Sequence, residues 1–279
     1  MSQSKKEGTS HEFDAESHLR SDWAARQHAL GNVPQAVLLR NLPPRLNLLI
    51  DTWHRSLLRW SLAPLERTRS TWIADLGCGY GRVVNEVKAM GFENIIGLDY
   101  EAGFCRQYQL DHGHAVQGSI AQPPFAAGSL SGAYAITAFM YVGLERAIDG
   151  IGMLDASLSP GARILILEAG AEFNGLSRYI FRQKRTQSLA VNGFSRSELG
   201  KTLLPDGWRK IASGSNAGMT MLLPLLMTFH RWPRVFNALA KAAMHLDRPR
   251  VGFRDRGVRS FGLHRWVLCE KPFNSAPAR

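Results

Sequence analysis

Two periodicities alternate along the middle of the chain. Short apolar runs predict five buried strands, at residues 71–76, 94–98, 114–117, 132–138 and 163–168. Segments with a helical apolar spacing predict the helices between them, at residues 81–90, 101–111 and 144–158. Strands that alternate with helices at this spacing indicate a parallel sheet with helical crossovers.

The region before this pattern predicts a helical cap. Residues 1–20 are polar and mixed in charge, which is typical of a flexible tail. Within residues 21–69, an apolar stripe with helical spacing runs from Leu46 to Trp60, and Pro43-Pro44 stands at its start, where proline is tolerated. We expect Asp51 to lie on the opposite, polar side of this helix, together with three arginines.

The last third of the chain is less regular. Residues 173–260 are predicted as a lid or insertion, helical at first, with Ser195 and Glu198 spaced as a capping box before another helix. Strands are predicted at residues 208–213 and 263–270. The pattern therefore predicts one α/β domain over residues 70–279, with its core at 70–170. Its expected form is a Rossmann-like, seven-stranded, mostly parallel sheet with an N-terminal helical cap and a C-terminal helical insertion.

A glycine-rich turn, Asp75-Leu-Gly77-Cys78-Gly79-Tyr-Gly81, follows the first predicted strand. Glycines allow a tight turn and a close approach of the backbone to a ligand, towards which the N–H groups of the next helix point. Asp99 ends the second predicted strand, where a carboxylate can accept hydrogen bonds from a ribose diol. Arginine at position 82 and valine at position 84 break the G-x-G-x-x-G spacing, which disfavours a dinucleotide.

The pattern D-x-G-x-G-x-G, with an acid after the second strand, resembles the class I S-adenosylmethionine-dependent methyltransferase superfamily of small-molecule type. The resemblance covers about residues 70–170 and implies that the turn wraps the methionine end of S-adenosylmethionine, while Asp99 holds the ribose. The segment Gly118-Ser119-Ile120 is similar to the family's adenine-contacting segment, although serine replaces its acid. The expected cofactor contacts are Asp75, Gly77, Cys78, Gly79, Gly81, Asp99, Tyr100, Ser119, Ile120 and Thr137, with no metal.

Residues for catalysis are few. Methyl transfer is an in-line displacement in which alignment alone lowers much of the barrier, and a general base helps when the acceptor is a hydroxyl. Tyr141, just past the fourth strand, is predicted either to orient the acceptor or to be a packing aromatic. His54 is predicted to face the site if its helix caps it, against the alternative of a surface histidine. For Glu168, which ends the fifth predicted strand, a role near the acceptor is the less favoured interpretation.

The net charge of the chain indicates which kind of partner it binds. The net charge is +11, from 34 basic and 23 acidic residues, which indicates an anionic partner. Ten of the basic residues lie between Arg231 and Lys271, after the apolar stretch Ala217–Phe229, which Pro224 is expected to interrupt. This arrangement is typical of a lid with a solvated basic face or of contact with an anionic membrane surface; nucleic acid is less favoured. Three dispersed cysteines and the lack of an apolar leader predict a cytoplasmic, optionally membrane-peripheral, location.

The sequence therefore predicts an S-adenosylmethionine-dependent methyltransferase that acts on a small molecule, with a lipid-like, isoprenoid or sugar acceptor. Three alternatives remain open at this point. They are an RNA methyltransferase that uses the basic C-terminal region, a dinucleotide-dependent oxidoreductase or epimerase, and a non-catalytic methyltransferase-like binding protein. The oligomeric state is not predicted.

Overall fold

A computed structural model describes residues 42–173, 193–199, 203–250 and 261–273, together with single residues between 21 and 38. Seven strands in these ranges form one sheet in the order β3-β2-β1-β4-β5-β7-β6. Their bounds are β1 Trp72–Leu76, β2 Asn94–Asp99, β3 His114–Gln117, β4 Leu130–Ile136, β5 Leu158–Ala169, β6 Arg209–Ser215 and β7 His264–Glu270. Strands β1 to β5 pair in parallel, whereas β7 is antiparallel to both of its neighbours. The predicted seven-stranded, mostly parallel fold is confirmed.

Helices lie on both faces of the sheet. Their bounds are α1 Pro44–Leu62, α2 Val84–Ala89, α3 Ala102–His112, α4 Leu144–Ser157, α5 Ala217–Thr228 and α6 Pro233–Leu246, and a short 3-10 helix spans Phe139–Tyr141. The helix predicted at residues 81–90 begins only at Val84, because residues 81–83 are still part of the glycine-rich turn. The helix predicted at residues 173–192 lies outside the described residues from position 174 onward.

The strands are buried on both faces, so their apolar residues divide between two cores. Leu165 and Leu167 pack with α1, α2 and the α5–α6 region, while Ile164 and Ile166 pack with α4 on the other face. Successive side chains of a strand point to opposite faces, which is why a central parallel strand has a continuous apolar run. The central part of the sheet therefore holds a fixed position for the residues at its carboxyl edge.

Helix α1 forms the described part of the predicted N-terminal cap. It begins at Pro44, and Trp53 and Leu57 on its inner face are fully buried against the sheet. The same face also buries polar side chains, among them Asp51 and His54. The expectation that Asp51 lies on the solvent side is wrong, since its residue is only 5% exposed.

Two local predictions fail and one is confirmed. The strand predicted at residues 163–168 already starts at Leu158 as β5 and runs through Pro160-Gly161, where its register with β4 shifts. Pro224 lies inside α5 and does not interrupt that helix. The capping box is present, because the Ser195 N–H donates to Glu198 Oε2 at 2.6 Å and the Glu198 N–H donates to Ser195 Oγ at 3.3 Å.

Candidate functional site

The glycine-rich turn is tied to the end of β2 by its backbone. The N–H groups of Gly77 and Cys78 donate to the Leu98 carbonyl at 2.7 and 3.1 Å, and the Gly79 N–H donates to Asp99 Oδ2 at 2.9 Å. Gly77 has a φ of +69°, and a Cβ added to it would lie 2.5 Å from the Ala138 Cβ. This position requires glycine because both the left-handed backbone and the close approach exclude a larger residue.

A cleft opens at the carboxyl edge of the sheet between β1 and β4. The strand order reverses at this pair, and open α/β sheets bind ligands where that reversal occurs. The residues that line the cleft are Asp75, Gly77, Cys78, Gly79, Arg82, Val83, Ile136 and Thr137. Five of the predicted contacts, at positions 75, 77, 78, 79 and 137, are therefore brought together.

Asp99 lies beside this turn with its carboxylate already oriented. Its Oδ1 accepts the Glu101 N–H at 3.0 Å and its Oδ2 accepts the Gly79 N–H at 2.9 Å, while the residue is 7% exposed. Burial raises the pKa of Asp99 to about 6, although the two N–H groups act in the opposite direction. Each carboxylate oxygen has further lone pairs, so the group can accept additional hydrogen bonds from hydroxyls.

Asp75 contributes a carboxylate oxygen that lacks a partner. Its Oδ2 is buried without a hydrogen bond to any of the described residues, and the residue lines the cleft. Burial raises the pKa of Asp75 to about 7, and the Tyr134 hydroxyl and the Arg82 guanidinium partly offset this shift. An unpartnered carboxylate in a cleft suits a cationic ligand group, because its desolvation is then compensated.

Thr137 has strained backbone at the end of β4. Its φ is +57°, a conformation that a β-branched residue rarely adopts. The strand geometry enforces it, since the Thr137 N–H donates to the Leu167 carbonyl at 2.7 Å. Strain of this kind concentrates at ligand-binding positions, and Thr137 lines the cleft.

Two of the predicted cofactor contacts, Cys78 and Gly81, have packing roles beside neighbouring elements. The Cys78 thiol packs towards β2, where a Cβ on Gly97 would lie 2.7 Å from its Sγ, and burial raises its pKa. A Cβ on Gly81 would lie 2.2 Å from the His112 ring, so this glycine permits contact with α3 and does not line the cleft.

The predicted adenine end lies one strand further along the sheet. The Gly118 N–H donates to the Asp99 carbonyl at 2.9 Å, which places the following Ser119 and Ile120 beside the end of β2. Ser119 Oγ accepts the Ala121 N–H at 3.2 Å, and the Tyr100 carbonyl accepts a hydrogen bond from Gln117. None of positions 100, 119 and 120 is among the lining residues of the cleft, so their contacts with a ligand remain predictions.

Arg82 was missed by the sequence reasoning. Its guanidinium lines the cleft and donates to Asp51 Oδ1 on α1, with side-chain exposures of 10% and 7%. Asp51 Oδ2 also accepts from Arg55 Nε at 2.7 Å, and Arg55 Nη2 donates to the Arg82 carbonyl at 2.5 Å. The ion pair joins α1 to the glycine-rich turn. The available signal was the helical spacing of Asp51 with the buried positions 47, 54 and 58.

His54 lies behind Arg82. Its Nδ1 is 3.3 Å from Arg82 Nη2, and its ring centroid is 4.9 Å from that of His264. Burial lowers the pKa of His54 and lowers that of His264 to about 3, so both imidazoles are neutral at physiological pH. The surface alternative for His54 is wrong, because the residue is completely buried.

Tyr141 follows β4, and Glu168 on β5 binds the backbone just before it. Tyr141 lies half-buried in the 3-10 helix, with its ring edge-to-face to Trp23 at 5.3 Å. The Glu168 carboxylate, fully buried, accepts the backbone N–H groups of Ala138, Phe139 and Met140 at 3.2, 2.9 and 3.2 Å. Burial raises the pKa of Glu168 to about 8. Glu168 thus fixes the segment that carries Tyr141.

Comparisons with known proteins agree on the domain. Residues 74–166, from β1 to β5, match a family model described as a methyltransferase domain. The match leaves out α1, with Asp51 and His54, and the whole of α5 and α6. The comparison with curated proteins finds no match.

Several solved structures share the fold. A putative methyltransferase in complex with the Haloferax volcanii activator Trm112 is 16% identical, with a TM-score of 0.55 over 81% of this chain and 93% of that chain. A geranyl diphosphate C-methyltransferase from Streptomyces coelicolor is 16% identical, with a TM-score of 0.52 over 79% and 77%. A putative sarcosine dimethylglycine methyltransferase from Galdieria sulphuraria is 16% identical, with a TM-score of 0.52 over 83% and 89%. At this level of identity, the similarity concerns the fold.

Proposed function

We propose that this chain, whose residues 74–166 match a methyltransferase domain, transfers the methyl group of S-adenosylmethionine to a small-molecule acceptor of lipid-like, isoprenoid or sugar character. The observation that carries the proposal is the cleft at the β1–β4 reversal, with glycine backbone along one wall and the Asp99 carboxylate beside it. When bound there, the cofactor supplies a methyl group already activated by its sulfonium.

We assign the two charged groups of the cofactor's methionine moiety by charge complementarity. The unpartnered Asp75 oxygen suits the ammonium of the methionine moiety, and the Arg82 guanidinium suits its carboxylate. Asp99 accepts the ribose hydroxyls, and Ser119 and Ile120 contact the adenine in this proposal. These residues fit S-adenosylmethionine, since the cleft is lined by an acidic side chain (Asp75), a basic side chain (Arg82) and the glycine-rich turn.

On the acceptor side, Tyr141 orients the nucleophile. On the cofactor side, His54 acts through Arg82. Tyr141 follows β4 at the carboxyl edge, and the Glu168 carboxylate holds its backbone segment. His54 is completely buried and touches no ligand, so we assign it a positioning role in which its Nδ1 accepts from Arg82. Alignment of the two reactants then supplies most of the rate enhancement.

Two similar structures support a small acceptor by their names alone, one for geranyl diphosphate and one for sarcosine and dimethylglycine. The net charge of +11 suits an acidic acceptor or an anionic membrane surface. We therefore propose a cytoplasmic protein that works at the membrane periphery. The three buried free thiols, Cys78, Cys105 and Cys269, suit a reducing compartment.

Calorimetric titration tests the cofactor. S-adenosylhomocysteine is expected to bind, and NAD(H) is not. Asp99→Ala should weaken S-adenosylhomocysteine by at least about tenfold, because a lost hydrogen bond to a charged group costs about 1.5–3 kcal/mol. Asp111→Asn, at an exposed aspartate on α3, is the matched control and should bind as the wild type does. Binding of NAD(H) without S-adenosylhomocysteine would refute the proposal.

A methyl-transfer screen tests the acceptor. Hydroxylated lipids, isoprenoid diphosphates, sugars and RNA are offered with labelled S-adenosylmethionine, and product is expected from one of the small-molecule classes. Tyr141→Phe should lower kcat for that acceptor while the affinity for S-adenosylhomocysteine stays unchanged. Methylation of RNA alone would replace the small-molecule proposal with the RNA alternative, and no product in any class would favour a binding protein.

A further inference from the structure

Helices α5 and α6 form a hairpin, Ala217–Leu246, whose charge is of one sign. Its 30 residues include three lysines or arginines and no aspartate or glutamate. The two helices pack on each other and bury Leu226 and Phe236 in the core shared with α1. The residues that face away from this core are therefore free to form a surface of their own.

The base of the hairpin is fixed at the carboxyl edge of the sheet. The Asp247 carboxylate accepts the N–H groups of Gly218 and Met219 at 2.7 Å each, and its carbonyl accepts from the Trp53 indole at 3.3 Å. Asn216, just before α5, accepts the His264 N–H at 2.8 Å. The hairpin thus starts beside the proposed acceptor edge, and its connecting end is one helix length away, about 18 Å for α5.

Large apolar side chains are exposed along this hairpin. The described residues include eleven exposed large hydrophobic side chains, and six of them lie here: Met221, Leu225, Met227, Trp232, Val235 and Leu246. Trp232, at the connection, is 63% exposed and stacks edge-to-face on Phe229 at 5.8 Å. Such a concentration marks an interaction surface.

Exposed cations accompany these side chains. Arg231, Arg234, Lys241 and the nearby Arg248 are exposed, and no carboxylate of the described residues lies within 4 Å of any of them. An anionic lipid surface satisfies both features, because phosphate headgroups meet the cations and the acyl boundary covers the methionines, leucines and tryptophan. A nucleic acid would pair with the cations but leave the apolar side chains in water.

Neither helix is built to cross a bilayer. Among the described residues, no helix has the length and apolarity that a membrane span requires. Helix α5 has 12 residues, and about 20 are needed for the hydrocarbon core. The hairpin is therefore suited to lie in the interface.

We propose that the α5–α6 hairpin is a membrane-docking surface that binds anionic lipid headgroups through Arg231, Arg234 and Lys241 and inserts Trp232 and its apolar neighbours at the acyl boundary. This proposal rests on the proposed function in one respect: docking would bring the carboxyl edge of the sheet, where the cleft lies, to a lipid-like acceptor. Docking itself does not depend on methyl transfer.

Vesicle flotation of the full chain tests this surface. The protein is expected to float with vesicles of phosphatidylcholine and phosphatidylglycerol at low salt and to be released at high salt. It should not float with phosphatidylcholine alone. Replacement of Arg231, Arg234 and Lys241 by glutamine should weaken binding by roughly a hundredfold, because each basic residue near an anionic surface contributes about a factor of five.

A charge-matched control separates docking from net charge. Replacement of the exposed Arg69, Arg106 and Arg196 by glutamine removes the same charge elsewhere and should leave flotation nearly unchanged. Trp232→Gln should weaken binding to anionic vesicles, and Leu110→Gln, at another exposed apolar residue, should not. Absence of flotation at low salt, or equal losses in the two triple variants, would overturn the proposal.

Titration with S-adenosylhomocysteine keeps the two proposals distinguishable. The hairpin variants should bind it as the wild type does, since none of the replaced residues lines the cleft. Intact flotation without cofactor binding would refute the proposed function and leave the docking surface standing. Intact cofactor binding without flotation would refute the docking surface and leave the proposed function standing.

Discussion

At the residue scale, the glycine-rich turn combines two requirements that can be measured separately. Gly77 has a φ of +69° and no room for a Cβ, while Gly128 has a φ of +63° and nothing within 4 Å of an added Cβ. The two positions share the backbone penalty for an L side chain but differ in packing. A comparison between them isolates the close approach of Gly77 to Ala138.

We expect Gly128→Ala to lower the free energy of unfolding by about 1–2 kcal/mol, which is the usual cost of a left-handed residue. Gly77→Ala should cost about 1–3 kcal/mol more, because overpacking against Ala138 is added. Urea denaturation of both variants measures the difference. Equal losses would mean that the turn relaxes away from β4 without cost.

At the element scale, α1 is held to the cofactor turn by a buried ion pair. Asp51 and Arg82 are both nearly excluded from solvent, and Asp51 also binds Arg55. A buried charge that loses its partner is strongly destabilising, whereas an exposed pair contributes little. The cap and the cleft are therefore coupled through Arg82.

Asp51→Asn should lower the free energy of unfolding by about 3 kcal/mol, because it leaves the Arg82 guanidinium buried without its carboxylate. It should also weaken S-adenosylhomocysteine binding, since Arg82 lines the cleft. Glu86→Gln provides the control. It disrupts the more exposed pair with Arg59, whose side chain is 56% exposed, and should cost less than about 1 kcal/mol. Chemical denaturation and calorimetry provide the two readouts. Wild-type values of both for Asp51→Asn would contradict the coupling of α1 to the cleft through Arg82.

At the scale of the whole molecule, buried titratable groups make stability depend on pH. Burial raises the pKa of Glu168 to about 8 and that of Asp75 to about 7. The folded state therefore holds protons that the unfolded chain has lost, and this contribution to stability is lost as pH rises through those values. His54 and His264 act in the opposite direction, because burial keeps them neutral, and their effect is complete above their ordinary pKa of 6.5.

Stability should therefore fall between pH 6.5 and about 8, by roughly 2 kcal/mol from Glu168 alone. Glu168→Gln should flatten this slope, at a fixed cost from imperfect pairing with the N–H groups that Glu168 accepts. If that variant does not fold, Asp75→Asn tests the smaller part of the slope. Denaturation at several pH values provides the measurement. Stability that rises over this interval would contradict the assignment.

The elements and the cofactor motif could be predicted from the sequence. The strands, the crossovers, the turn at residues 75–81 and Asp99 follow from local periodicity and from the limited backbone choices of glycine, which act over a few neighbouring residues. The capping box at Ser195 and Glu198 is local for the same reason. These features could be predicted because no distant contact is needed to specify them.

Which polar residues are buried, and what they contact, became known from the folded structure. Asp51 is buried in an ion pair with Arg82, 31 positions away in the sequence, and Glu168 accepts three N–H groups from the residues that follow β4. His54 is a buried neighbour of His264, although the two residues lie 210 positions apart in the sequence. Desolvation and pairing depend on which elements pack together, and that information is spread over the whole fold.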